Sequence, residues 1–341
     1  MRKAAALIGI LVVMAILTLP CFAEEKVFTV EVLQVAKIDA FQFSYDSFMG
    51  EMSKAGLVPG KNLKVNRVII DYDLEKAGVL DKMGLGLFRL PSEASRIASA
   101  KPDLAVTIGT PATKYARDKI TGAGVPLLFI AVAIPQAAGC PSLTNGGPGV
   151  TGATLYMDMK NALKIVKACF PDLKTIGMIC SDDDNGIAHV EEAKKNAPAL
   201  GMTVLSKQVS KKDSILPAAK ALKDQGIEIF AIPLDTYYGI RNYRYVNDLN
   251  AYCRENKIPI VSFVFQHTKG AVLSVGTDFD TVGALGAVNA VKILKEGKKP
   301  ESLPILKQED LKIMVDTERM QALGLKFPME ILKIAKPAKE I

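Results

Sequence analysis

Thr110 stands where an apolar run (residues 104–108) meets a helix that opens with Pro111. Backbone N–H groups at such a junction have no acceptor within the helix. Together with the helix dipole they favour an anion such as a carboxylate. Pro111 supplies no N–H, so the candidate cradle is the Thr110 hydroxyl with the amides of Ala112 and Thr113. The same hydroxyl can instead cap its own helix. Asp235 follows a second apolar run, 227–232, and offers a carboxylate to a ligand ammonium or hydroxyl, or an N-cap to the helix expected from 238. Asn185 lies in a third strand-to-helix loop, where its amide can donate and accept or simply shape the turn. Gln34 ends the first apolar run in the same manner. Aromatic residues gather at these loops: Phe41, Phe43 and Tyr45, then Tyr237 and Tyr238, then Phe263 and Phe265. Tyr237 and Phe263 are candidates to stack on an aromatic or apolar ligand, with plain core packing as the alternative.

Other chemistries lack their residues. There is no GxSxG elbow, no P-loop and no HExxH motif. Two histidines in 341 residues, His189 and His267, do not support a histidine-based catalytic network or a His-rich metal site. Residues 181–192 nearly spell a calcium loop, but Ser181 occupies the first ligand position, so a polar strand-to-helix loop is expected. No cysteines form a CxxC pair, and Cys140, Cys169, Cys180 and Cys253 read as buried thiols. No cofactor and no metal are expected. A hydrophobic fraction of 49% excludes a disordered chain. The net charge of +7 is spread along the sequence, which argues against a nucleic-acid partner.

The first residues suggest export. Arg2 and Lys3 precede an uncharged run, 4–19, and then Pro20-Cys21-Phe22-Ala23. Cleavage after Ala23 is expected, leaving a protein of the periplasm. An uncleaved anchor and a lipid on Cys21 are the alternatives.

The elements that must position the candidate residues alternate. Strands are expected at 27–35, 63–70, 104–108 and 126–132, with helices at 40–56, 92–100 and from 110. Residues 139–152 hold five Gly and two Pro and read as a loop or inter-domain connection. The alternation then resumes. Helices are expected at 157–170, 186–200, 214–225, 238–256 and 282–297. Strands are expected at 175–180, 202–209, 227–232, 259–265, 271–275 and 311–315. The fold class is α/β, with two doubly wound parallel-sheet lobes hinged around a cleft. The expected first lobe is 24–135 plus about 270–302; the second is 136–269 plus about 303–341.

Several segments resemble ABC-transporter substrate-binding proteins of the tryptophan/tyrosine-binding type. They are Lys101-Pro-Asp-Leu-Ala-Val-Thr-Ile-Gly-Thr-Pro-Ala-Thr, Gly149-Val-Thr-Gly, Asp172-Leu-Lys-Thr-Ile-Gly and Asn185 ahead of Val190-Glu-Glu-Ala-Lys-Lys. Leu200-Gly, Ile232-Pro-Leu-Asp and the tail Ala322-Leu-Gly-Leu with Phe327-Pro continue the likeness. The resemblance implies a type I periplasmic-binding fold and delivery of a small carboxylate-bearing solute, such as an aromatic or branched amino acid, to an ABC permease. A monomer without catalysis is expected. The alternatives are an exported sensory binding protein and, further off, an exported α/β enzyme. Two positions depart from the family pattern. Ala133-Ile134-Pro135 replaces a Thr-Asp-Pro sequence, and Ser262-Phe263-Val264-Phe265-Gln266-His267 lacks the acidic residues often found there. Both changes remove groups that could hold an ammonium.

Overall fold

The structure is a computed structural model that describes residues 26–70, 85–266 and 268–338. The expected leader, 1–23, lies outside the described residues. The first sheet contains β1 (Phe28–Val35), β2 (Leu63–Ile70), β3 (Leu104–Ile108), β4 (Leu127–Val132), β5 (Val150–Thr154) and β11 (Leu306–Lys307). Their spatial order is β11-β5-β4-β3-β1-β2, and every pairing is parallel. All residues of β3 and β4 are buried, as continuous apolar runs in a sheet covered on both faces must be. One face packs on α1 (Asp39–Lys54) and α8 (Phe279–Glu296), the other on α2 (Leu85–Ala100) and α3 (Thr110–Gly122).

The second sheet contains β6 (Thr175–Cys180), β7 (Thr203–Gln208), β8 (Ile229–Ile232), β9 (Ile260–Ser262), β10 (Ala271–Gly276), β12 (Lys312–Val315) and β13 (Lys336–Pro337). Their order is β13-β12-β10-β9-β8-β6-β7, antiparallel only between β10 and β12. Helices α4 (Met159–Cys169) and α5 (Asp184–Asn196) cover one face; α6 (Leu216–Asp224) and α7 (Arg244–Asn256) cover the other. Two short helices, α9 (Thr317–Ala322) and α10 (Met329–Ile334), complete the tail. Aspartates open four helices by accepting backbone N–H bonds: Asp158 for α4, Asp183 for α5, Asp278 for α8 and Asp316 for α9.

The chain passes between the sheets later than the sequence suggested. The Gly-rich segment does not end the first lobe, because its last residues form β5. Gly152 fits that strand because a Cβ there would stand 2.6 Å from the Phe129 ring of β4. The passages therefore fall between β5 and α4, between β10 and α8, and between β11 and β12. The expected boundaries near 135, 270 and 302 each fall short, since each leaves out a strand that still belongs to the preceding sheet. The passages touch one another. Thr277 Oγ1 donates to Leu155 O at 2.9 Å, and Asp278 N donates to Gln308 Oε1 at 3.1 Å.

Two helices also differ. The helix expected at 92–100 begins at Leu85 and carries Pro91. The helix expected from 238 begins only at Arg244. Residues Thr236–Tyr238 form a single tight turn, and Arg241, Asn242 and Tyr243 all have positive φ, between 51° and 60°. Cys140, Cys169, Cys180 and Cys253 are buried free thiols.

Helices α1 and α8 cross closely over the first sheet. Ser44 Oγ donates to Phe279 O at 2.9 Å, and a Cβ on Gly283 would lie 2.1 Å from the Ser44 carbonyl oxygen. Gly283→Ala is expected to lower stability by about 2 kcal/mol, because the clash is with backbone and cannot be relieved by a rotamer change. Gly50→Ala, on the open side of α1 with no atom within 4 Å, is expected to raise stability by about 0.5 kcal/mol. Urea unfolding of the two variants checks both signs.

Candidate functional site

The carboxyl ends of both parallel sheets face one cavity of about 1310 Å³. The first lobe lines it with Asp39, Phe41 and Phe43 at the start of α1, with Ala131 at the end of β4, and with Phe279. The second lobe contributes Asn185, Asp235, Thr236, Tyr238 and Tyr243. Ala131 has a φ of 57°, and the pairing of β4 with β5 shifts register there. This strained residue ends regular pairing at the cavity wall.

The lobes are closed on each other. Thr110 Oγ1 donates to Asn185 Oδ1 at 3.0 Å, Lys114 Nζ lies 3.0 Å from Asp184 Oδ2, and Tyr243 OH donates to Asp39 Oδ2 at 2.7 Å. The first two contacts bring the N-termini of α3 and α5 together. Gly109, not Thr110, occupies the cap position of α3, with a φ of 87° that favours glycine. The Thr110 hydroxyl is thereby released to reach the other lobe.

Asp235 is 7% exposed and heavily bonded. It accepts from Ser181 N at 2.6 Å, from Ser181 Oγ at 2.8 Å and from Tyr237 N at 2.8 Å. An ionised carboxylate has about four acceptor positions, so one remains. Burial, followed by the nearby Asp183 carboxylate, pushes Asp235 up to about 6. Asp183 is held below the usual range despite its burial. Lys211 Nζ stands 3.1 Å away, Thr236 Oγ1 donates at 2.7 Å and Asn185 N donates at 3.0 Å. Within the calcium-like loop Asp183 thus serves helix capping and this buried network, while Asp184, Glu191 and Glu192 pair with lysines. His189 accepts from Leu234 N through Nδ1 at 3.3 Å, and burial lowers it to about 4. It is a neutral core histidine at pH 7.

Thr110, Asn185 and Asp235 come together at the meeting of the lobes. Of these, Asn185 and Asp235 line the cavity; Thr110 reaches Asn185 from outside its lining, and the other five sequence candidates do not line it either. Ala112 is packed in the core of the first lobe. Thr113 donates its amide and its hydroxyl to Gly109 O, and stands 2.9 Å from the Thr107 hydroxyl. The first turn of α3 has therefore already taken the amide that was assigned to a ligand. Gln34 is fixed by Ala36 O and by Arg67, whose Nη2 donates to it at 2.6 Å. Tyr237 is fully buried, stacked 4.0 Å from Tyr245, with its hydroxyl donating to Asp213 O. Phe263 belongs to the core of the second lobe. Tyr238 and Val264, one residue on, line the cavity instead: the tight turn capped by Asp235 directs Tyr237 inward, and Phe263 lies just past the end of β9.

The sequence reading missed Asp39, Thr236, Tyr243 and Gln266, all of which line the cavity. Asp39 had a usable signal, since it follows β1 at the same kind of strand-to-helix junction as Thr110. Tyr243 had none, because its place depends on the left-handed segment before α7.

Among the described residues no helix is long and apolar enough to cross a membrane. Residues 89–339 match the family described as ABC transporter substrate binding protein. A tyrosine-binding protein of Clostridioides difficile (strain R20291) is 27% identical over 237 residues, covering 69% of this chain and 66% of that protein's length. A crystal structure of a conserved domain protein from Vibrio cholerae is 21% identical with a TM-score of 0.76, covering 92% of this chain and 100% of that one. The L-Trp complex of an ABC domain from Streptococcus pneumoniae is 22% identical with a TM-score of 0.75, covering 92% and 99%. The two closed α/β lobes are thus a type I periplasmic-binding fold, and the chain belongs to the ABC transporter substrate-binding protein family.

Proposed function

We propose that the chain is the exported solute-binding component of an ABC importer and that it carries an aromatic amino acid to its permease without catalysis. The observation that carries this reading is the closed cavity with its uneven chemistry. Where the lobes meet, Asp39 and Asp235 present carboxylates, and no Lys or Arg lines that end. A solute with an ammonium group fits there, and an anion lacking one is disfavoured. Its carboxylate goes to the N-terminus of α5 at Asn185, which lines the cavity and is held there by Thr110 of the other lobe. Its ring goes among Phe41, Phe43 and Phe279. Phe43 is 44% exposed, which supports contact with a ligand rather than a core role. Closure then buries the solute and presents both lobes together.

Calorimetric titration with tyrosine and tryptophan tests the proposal directly. Saturable binding of either is expected, and no binding of any aromatic amino acid would overturn it. Thr110→Val and Asn185→Ala each remove the hydrogen bond between α3 and α5. Each is expected to weaken binding about five- to tenfold while leaving the thermal midpoint of the ligand-free protein nearly unchanged.

Acidity separates the roles of the two ligand charges. With Asp235 raised to about 6, acidification through that pH protonates it and removes an acceptor for the ammonium. Tyrosine affinity is expected to fall about tenfold between pH 7 and pH 5. The deaminated analogue 3-(4-hydroxyphenyl)propionate is expected to bind weakly at pH 7 and no worse at pH 5. Equal pH profiles for the two compounds would remove Asp235 from ammonium binding.

A further inference from the structure

The cavity does not end where the lobes meet. It continues along one face of α7, past Tyr243, Val246, Asn247 and Asn250 to Arg254 and Lys257. The opposite wall comes from Lys269, Gly270 and the segment 316–324. From Tyr243 to Arg254 the helix advances about 16 Å. That exceeds the reach of one amino acid held between the lobes.

The chemistry changes sign along this path. Every Lys and Arg that lines the cavity stands at the far end: Arg254, Lys257, Lys269 and Arg319. Among the described residues none of the four has an ion pair. Of the two carboxylates beside them, Asp316 offsets part of the Arg319 charge but forms no ion pair with it. Asp316 spends an oxygen on the backbone N–H of Arg319 at 2.8 Å, and Glu318 is exposed.

Two buried groups are unsatisfied here. Nε and Nη2 of Arg319 are buried without a hydrogen-bond partner. Other arginines with a buried Nε differ: Arg67 donates through both Nη atoms, and Arg117 donates to Gly139 O. Asn250 is 6% exposed, lines the same cavity one turn before Arg254, and has an unpartnered Oδ1. Burial and the like charge of Arg254 both weigh on the Arg319 guanidinium. Leaving a buried charged donor unpaired is costly, and a bound ion or water is one way folded proteins satisfy such a group.

We infer that this far end is a second ligand site, separate from the solute position, that takes a phosphate-type oxyanion, free or as a monoester. Two guanidinium groups match the oxygens of a tetrahedral dianion, and the two lysines add charge without fixed geometry. The Asn250 amide supplies an uncharged partner. Asn250 Oδ1 requires a donor, which the P–OH of hydrogenphosphate or of a singly ionised monoester provides and sulfate does not.

The test is titration of the full chain at constant ionic strength with inorganic phosphate, glycerol 3-phosphate and sulfate, followed by calorimetry and thermal midpoint. Saturable binding of phosphate or of the monoester is expected, tighter than sulfate. Arg319→Gln and Arg254→Gln are each expected to weaken it at least tenfold while leaving tyrosine titration unchanged. Arg254 is exposed, so its variant keeps the test valid if Arg319→Gln fails to fold. The inference is overturned if neither compound gives saturable binding, or if both variants bind as the parent does. Because tyrosine binding is read separately, its failure bears on the solute proposal and leaves this one standing.

Discussion

Two carboxylates buried side by side organise the second lobe's share of the cleft. Asp183 and Asp235 follow β6 and β8, and each raises the cost of ionising the other. The surrounding groups divide the burden. Lys211 and Thr236 favour charge on Asp183, whereas Asp235 relies on Ser181 and the Tyr237 amide. Each of these bonds also shapes backbone. Asp183 opens α5 and so places Asn185; Asp235 opens the turn that buries Tyr237 and exposes Tyr238 to the cavity. Withdrawing one partner from such a network leaves a charge without compensation, at a cost of about 3–5 kcal/mol. The binding loops are thus held by electrostatics rather than by apolar packing.

Closure depends on weaker contacts. Lys114 and Asp184 are both about half exposed, and a pair of that kind contributes little. The bond from Tyr243 to Asp39 is also exposed, while that from Thr110 to Asn185 is partly buried. Three modest polar contacts, with Leu234 and Val264 packed against the first lobe's core, do not lock two lobes together. They leave the closed form close in energy to alternatives, and a solute with differential affinity of a few kcal/mol can then decide the balance. A firmly locked cleft could not release its cargo.

Most of the fold was legible because parallel strands buried on both faces leave continuous apolar runs. The runs at 104–108 and 175–180 coincide with β3 and β6, while 63–70 was legible by its alternation and is the edge strand β2. What failed was local. Five glycines hid β5, since Gly152 is there for contact with the Phe129 ring and not for a turn. The start of α7 was misjudged because three residues with side chains adopt positive φ, and of these only Asn242 is of a type that favours it. At the site, strand-to-helix junctions led to Thr110, Asn185 and Asp235. Facing direction could not be read one residue at a time. Tyr237 and Tyr238 carry the same side chain and both enter the core, but after the Asp235 turn only Tyr238 also lines the cavity.

Helix α7 links the two chemistries of the cavity. Its first turn follows Tyr243, whose hydroxyl holds the lobes together, and its last turn ends among cations. Residues 243, 246, 250, 254 and 257 share one face by helical spacing, so the change from closure contact to basic surface occurs along a single rigid element. Such an element carries displacement from one end to the other when it moves as a body. The left-handed segment before it, Arg241 to Tyr243, is where the chain stores strain. Helix α7 and the tail both pack on the second sheet, so Arg254 and Arg319 travel together when the lobes open, and the contact that a hinge motion breaks is the one from Tyr243 to Asp39.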